Sequence, residues 1–469
     1  MDYQKLYING EWVDGASGKW IEVENPADKS IIAKVPKGNT EDVDRAVKAA
    51  KEAFKTWQYS KIEDRVSLME KVVKGLRDNV DLLTDTIMKE LGCAYEFTHN
   101  VHVLDFVAEA ENYVKNARTY EFEERLEKSI VRREPVGIVG GLTPWNFPLE
   151  QIVKKVIPGL LAGNCIILKP SQMTPLTAYI LTDMIDKAGF PKGTFNLVTG
   201  RAGEVGNALA LHEDVDMISF TGSTAGGREV AKLALSNIKK LALELGGKSA
   251  AIIMEGGNYS HGVRSVLDTV FLNGGQTCNA FTRLLVPRSC QKEIEEIILE
   301  QSKDYKVGNP ADKSINIGPL ASQKQFDKVK EYIKVGIEEG ARMLLGSVPE
   351  GCETGYYVEP VVFTDVNNKM RIAQEEIFGP VLVVIPYDTI DEAVEIANDS
   401  IYGLAGAVYG PTDEEAYEIA KKIRTGSIYV NEGTWDLNAP FGGYKQSGLG
   451  REGGIEGFEE FLEIKTLYI

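Results

Sequence analysis

The sequence predicts an α/β protein with mostly parallel sheets and helices on both faces. From Val136 onward, short apolar runs alternate with helical segments, the β-α-β-α order of a parallel sheet. A second alternating block begins near Ser249, so the pattern occurs twice along the chain. Ligands on such sheets bind beyond the carboxyl ends of the strands, which is where the chemistry is expected.

Tyr7 to Val13 reads as a hairpin around Asn9-Gly10. Glu41 to Trp57 is helical, with Val43, Val47, Ala50 and Phe54 on one face. Helical patterns continue to about residue 117, and the charged stretch Tyr120 to Arg133 then predicts an exposed two-stranded excursion. Gly137 to Leu142, Cys165 to Leu168, Phe195 to Val198, Met217 to Phe220 and Leu241 to Leu245 are predicted strands. Helices are predicted at Ile152 to Leu161 and Pro175 to Lys187. The second block has strands at Ala250 to Met254, Leu284 to Val286 and Val381 to Ile385. Its helices are near Ser260 to Leu272, Gln291 to Asp304 and Gln323 to Glu339.

At 469 residues, with roughly 100–200 residues per domain, two to four domains are expected. The net charge of -17 argues against nucleic acid or an anionic membrane as the main partner. The N-terminal residues carry no signal-peptide pattern, and the longest apolar stretch, Val156 to Leu168, is broken by Pro158, Gly159, Gly163 and Asn164. A cytoplasmic protein is the expectation. Five cysteines, an odd number with no Cys-x-x-Cys pair, argue against a disulfide framework or zinc site and leave room for a reactive thiol.

Met217 to Gly227 is an apolar run, a glycine-rich turn and a helix start, which suits a phosphate or merely a tight turn. Glu244 follows Gly222 by 22 residues and could be a ribose-binding acid. Gly247-Lys248-Ser249 resembles the end of a P-loop, but Ala242 stands where the first glycine is needed, so a nucleoside triphosphatase is excluded. Gly274-Gly275-Gln276-Thr277-Cys278 places a cysteine after a flexible turn. His99 and His102 are expected to be surface residues, with no third metal ligand in the local pattern.

Seven strings, in order, resemble the aldehyde dehydrogenase superfamily across essentially the whole chain. They are Thr143-Pro144-Trp145-Asn146-Phe147-Pro148-Leu149, Lys169-Pro170-Ser171, Phe220-Thr221-Gly222-Ser223-Thr224 and Glu244-Leu245-Gly246-Gly247-Lys248, followed by Gly275-Gln276-Thr277-Cys278, Glu375-Glu376-Ile377-Phe378-Gly379-Pro380 and Pro440 to Gly448. The resemblance implies a Rossmann-like NAD(P)-binding domain (1–116 and 134–246), an α/β catalytic domain (247–446) and a small β oligomerisation arm (117–133 and 447–469). It also implies a homodimer or homotetramer that oxidises a small-molecule aldehyde with NAD or NADP, without a metal.

The roles it implies are physically coherent. Cys278 attacks the aldehyde as a thiolate; a free thiol has a pKa near ~8.5, so electropositive surroundings, including the oxidised nicotinamide, are expected. The Asn146 amide and the Cys278 backbone N–H hold the oxyanion. Hydride transfer leaves a thioester, which water activated by Glu244 hydrolyses. Cofactor contacts carry over to Thr143, Pro144, Trp145, Lys169, Ser171, Gln172, Gly203, Phe220, Gly222, Ser223, Leu245, Glu376 and Phe378.

Three features depart from common family patterns. Gln172 replaces a frequent glutamate, which predicts tolerance of NADP. Phe281 replaces a frequent glycine and is expected to narrow the substrate tunnel or fill a gap. Lys154, with Glu150 and Gln151, makes the helix after Asn146 polar and leans the substrate towards polar or anionic aldehydes, unless Lys154 pairs with Glu150. A CoA-acylating enzyme is the nearest alternative, against which Glu244 argues. A non-catalytic binding protein is a further alternative, opposed by the intact set Cys278, Asn146, Glu244 and Glu376.

Overall fold

The computed structural model describes residues 3–469. In the first sheet the parallel strands lie in the order Lys240–Glu244, Met217–Thr221, Ile138–Leu142, Cys165–Lys169 and Phe195–Leu197. These side chains are mostly buried, because helices cover both faces. Gly448–Leu449 pairs antiparallel with the strand ending at Glu244. The hairpin Leu6–Ile8 and Glu11–Val13 extends the other edge. Its tip residues Asn9 and Gly10 have φ of 55° and 71°, the left-handed pair that a two-residue hairpin turn requires.

The second sheet runs Arg342–Leu345, Val361–Thr364, Val381–Tyr387, Arg283–Pro287, Ala250–Ile253, Gly406–Tyr409 and Tyr429–Val430. All its pairs are parallel except the first. Val361–Thr364 and Gly406–Tyr409 went unread in the sequence, because four apolar residues carry too little periodicity to separate strand from buried helix.

The charged excursion is the hairpin Glu123–Arg125 and Ser129–Pro135, and Leu462–Tyr468 pairs along its outer side. Helix Phe106–Thr119 occupies the residues before it. Helix Pro148–Ala162 runs through the interior with every residue buried except Glu150.

The histidine expectation fails at His102, which is fully buried. It lies on a π-helical segment, Thr98–Asp105, whose wider turn displaces side chains from the 3.6-residue period on which the reading rested. Its ring stacks on Phe147 at a centroid distance of 4.5 Å, and burial lowers its pKa to about 3.

Candidate active site

The motif residues gather at the carboxyl ends of neighbouring parallel strands. Thr143, Pro144, Trp145 and Asn146 follow Ile138–Leu142, while Lys169 and Ser171 end and follow Cys165–Lys169. Gly222 and Ser223 follow Met217–Thr221, and Glu244 and Leu245 end and follow Lys240–Glu244.

Cys278 arrives on a left-handed turn. After helix Tyr259–Phe271, residues Asn273, Gly274 and Gly275 have φ of 55°, 61° and 71°, a conformation that glycine and asparagine tolerate best. The Asn273 amide donates to the Asn146 carbonyl at 3.0 Å, and the Gln276 amide donates to the Asn273 carbonyl at 2.9 Å. The Ala321 N–H donates to Gln276 Oε1 at 2.8 Å. Asn146 Nδ2 donates to the Gln276 carbonyl at 3.0 Å, leaving its second N–H for an oxyanion. Gly247 passes so close that a Cβ there would lie 2.6 Å from the Cys278 carbonyl oxygen.

The protein's own charges around Cys278 differ from the electropositive surroundings expected. Burial raises the thiol pKa, and Glu150, Glu244 and Glu376 raise it further, with Lys154 opposing. Burial, and then the neighbouring acids, therefore favour the thiol over the thiolate in the protein alone.

Glu244 is buried, and neither carboxylate oxygen has a hydrogen-bond partner among the described residues. Burial, then Glu452, raise its pKa well above the carboxylate range, against Lys155, Lys154 and Arg451. Glu452 is ion-paired with Lys155, whose ammonium also donates to Thr221 Oγ1 at 2.7 Å. Lys155, Arg451 and Glu452 were missed in the sequence. Lys155 and Glu452 are 297 positions apart, and only the last string, ending at Gly448, hinted that this region approaches the site.

The remaining strand-end residues suit a dinucleotide. Lys169 is buried with no carboxylate partner among the described residues, and burial lowers its pKa to about 8. A Cβ on Gly222 would lie 2.6 Å from the Phe220 ring, so the turn stays bare. Ser223 caps helix Thr224–Ala234, accepting from the Gly226 N–H. Glu376 Oε1 accepts from the Gly247 N–H at 3.0 Å, and a Cβ on Gly246 would lie 2.5 Å from that carboxylate. Phe378 meets Trp145 edge to face at 5.4 Å. The Leu245 N–H donates to the Ser447 carbonyl at 2.8 Å. Gln172 is exposed, and Gly203 is exposed on the short π-helical segment Ala202–Gly206, where a Cβ would meet nothing within 4 Å. An unpaired cation, bare glycine turns and a carboxylate with acceptor capacity left fit a nicotinamide dinucleotide. Among the described residues no His, Cys, Asp and Glu cluster could hold a metal ion.

A cavity of about 280 Å³ opens beside Cys278. Phe97, Phe106, Phe147, Leu272, Trp435 and Phe441 form its apolar wall, and Asp105, Glu150 and Asp268 are its acidic residues. Lys154 does not line it, which removes the cation behind the anionic-substrate expectation. Its ammonium pairs with Glu150 at 2.6 Å, approaches Glu109 at 4.0 Å, and sits 4.9 Å from the Phe441 ring centre. Phe281 is also away from the cavity wall; it is core, edge to face with Tyr429 at 5.7 Å.

A thiol, an amide donor and an unpaired carboxylate beside a dinucleotide cradle define a cysteine-dependent dehydrogenase site. The aldehyde dehydrogenase family profile matches residues 12–467. An aldehyde dehydrogenase relative from Staphylococcus aureus (strain USA300) is 44% identical over 471 residues, covering 99% of this chain and 98% of the relative. The structure of a Pseudomonas syringae aldehyde dehydrogenase C variant, complexed with NAD+ and octanal, superposes with a TM-score of 0.98 at 40% identity, covering 99% and 96% of the two chains. A Mycobacterium tuberculosis aldehyde dehydrogenase complexed with NAD+ has a TM-score of 0.97 at 42% identity, covering 100% and 98%. The chain belongs to the aldehyde dehydrogenase family, enzymes that oxidise aldehydes with a nicotinamide cofactor.

Proposed function

We propose that this enzyme oxidises aldehydes with an uncharged, apolar tail to carboxylic acids, using NAD or NADP. The observation that carries the substrate class is the aromatic and aliphatic wall beside Cys278, with Lys154 withdrawn into its pair with Glu150. An apolar tail gains from burial there, whereas a carboxylate tail would lose its hydration and find only acids. The octanal held by the Pseudomonas syringae relative agrees with this reading.

Cys278 adds to the aldehyde carbon, and its thiol proton passes to a carboxylate before or during attack. The free N–H of Asn146 and the Cys278 backbone N–H take the oxyanion. The nicotinamide, when bound, supplies the hydride acceptor that converts the thiohemiacetal to a thioester. Lys169 and Ser171 would hold the adenosine side, the bare turn at Gly222 and Ser223 the phosphates, and Glu376 the nicotinamide ribose. Glu244, with both oxygens free, takes a proton from water as it attacks the thioester carbon. The arm serves as the contact for a homodimer or homotetramer; its strand Leu462–Tyr468 exposes Ile464 and Tyr468, which supports a covering partner. Sedimentation would measure the assembly.

The substrate test compares octanal with its ω-carboxylate analogue. The expected kcat/KM ratio favours octanal by roughly a hundredfold, set by the cost of an unpaired buried charge. Lys154→Met should not lower that ratio, because it takes no cation from the cavity wall and leaves Glu150 uncompensated there; an equal or reversed wild-type ratio would remove the apolar-tail reading.

A further inference from the structure

A second cavity, of about 350 Å³, lies at the base of the three-stranded arm and contains an unpaired cation. Arg65 lies in the first turns of helix Ile62–Asp78 and is only 5% exposed. Its Nε has no hydrogen-bond partner, and no carboxylate pairs with the guanidinium among the described residues. Buried arginines ordinarily form bidentate pairs, because desolvating the charge is otherwise uncompensated. Burial here lowers its pKa to about 10.

The cavity lining carries four cations, Arg65, Arg132, Arg133 and Lys465, against the one carboxylate of Glu134. The guanidinium packs over the Phe122 ring at 5.7 Å and against Gly163, at the C-terminal end of helix Pro148–Ala162. That helix end offsets part of the charge through its dipole, but among the described residues no carbonyl accepts a bond from Arg65. Lys61, the N-cap of Arg65's own helix, provides no side-chain cap. The Asp64 and Arg65 amides donate to the Lys61 carbonyl, which leaves the Ile62 and Glu63 amides open, and Ile62 also lines the cavity. Glu63, in the same turn, offsets part of the Arg65 charge without pairing with it. Arg132, Arg133 and Lys465 already have acidic partners: Glu123 and Glu134 for Arg132, Glu124 and Glu459 for Arg133, and Glu134 for Lys465. Arg65 is the cation left without one.

We propose that this cavity binds a small free oxyanion of the phosphate class, with Arg65 as its floor. The forked guanidinium presents parallel N–H donors to a tetrahedral oxyanion, and the open helix start adds backbone donors. The cavity lies between the first helices and the arm strands, so an occupant joins the arm to the body of the subunit.

The test is thermal unfolding of the full chain saturated with NAD, so that phosphate does not report on the dinucleotide cradle. Inorganic phosphate is titrated at constant ionic strength against chloride. The wild-type Tm should rise saturably. Arg65→Met should lose the saturable rise, and without phosphate it should be no less stable than wild type, because it removes an unpaired buried charge. Lys465→Met, at the half-exposed rim, should weaken apparent phosphate affinity several-fold, and it decides the matter if the Arg65 variant does not fold. A wild type with no saturable rise overturns the proposal, as does a rise that survives in both variants. An Arg65→Met chain equally destabilised with and without phosphate would make the guanidinium a brace for helix Pro148–Ala162. A change in sedimenting mass with no phosphate effect would assign it to a carboxylate of a second copy. Either result sinks the free-oxyanion site.

Discussion

The Asn146 side-chain amide donates 3.0 Å to the main-chain carbonyl of Gln276, two positions before Cys278. One N–H therefore fixes the nucleophile turn while the other remains for the oxyanion. Asn146→Ala should lower kcat by roughly 10²–10³-fold through the lost donor, with NAD affinity little changed. Steady-state kinetics with cofactor-binding titrations check this. A comparable loss of NAD affinity would place Asn146 in the cofactor site instead.

Glu244→Gln keeps the shape of the side chain and removes its capacity to accept a proton. Such an enzyme should release about one reduced nicotinamide per active site and then stall as a Cys278 thioester. Rapid-mixing absorbance and intact-protein mass spectrometry read the two events. Weak cofactor binding without acylated Cys278 would make Glu244 a ribose ligand.

The pH dependence of hydrolysis follows from burial and from Glu452, which together raise the Glu244 pKa. Glu244 acts as a base only when ionised, so thioester hydrolysis should increase with pH above the ordinary carboxylate range. The same shift makes the folded chain hold this proton where the unfolded chain has released it. Glu244 therefore costs stability as pH rises from its unfolded pKa towards its folded one. Glu452→Gln should move the hydrolysis limb to lower pH. Single-turnover hydrolysis profiles decide, and an unmoved limb would mean that Glu452 does not set this ionisation.

Gln172 is exposed and neutral, three positions after Lys169, the residue proposed to hold the adenosine side. A glutamate there would repel a 2′-phosphate. Gln172→Glu should raise the NAD-over-NADP ratio of kcat/KM by roughly tenfold. If wild type already excludes NADP strongly, another group sets the preference.

Much of this molecule is legible in one dimension because its chemistry sits where strands stop. A run such as Cys165–Lys169 is recognisable as a strand, and the residue that ends it is placed by the sheet itself. Asn9-Gly10 is readable for a local reason, since two left-handed residues demand that composition. What resisted reading depends on distant partners. His102 is buried by a π-helical turn that shares its composition with ordinary helix. Lys154 could have faced substrate or Glu150; only the packing of Phe106, Trp435 and Phe441 around it selects the second. The apolar wall draws on segments from Phe97 to Phe441, and no spacing rule connects them.

Gly275, in the turn before Cys278, presses on the backbone of Gly379, in the segment that carries Glu376 and Phe378, so closely that no side chain fits between. The segment that carries Cys278 and the one that carries Glu376 thus share a seam of bare backbone. Their shapes are inherited together. A chimera that took one segment from a distant relative and kept the other would set carbonyl against side chain at this seam. Redesign of cofactor choice through residues 375–380 should therefore begin by copying the 273–278 turn from the same donor.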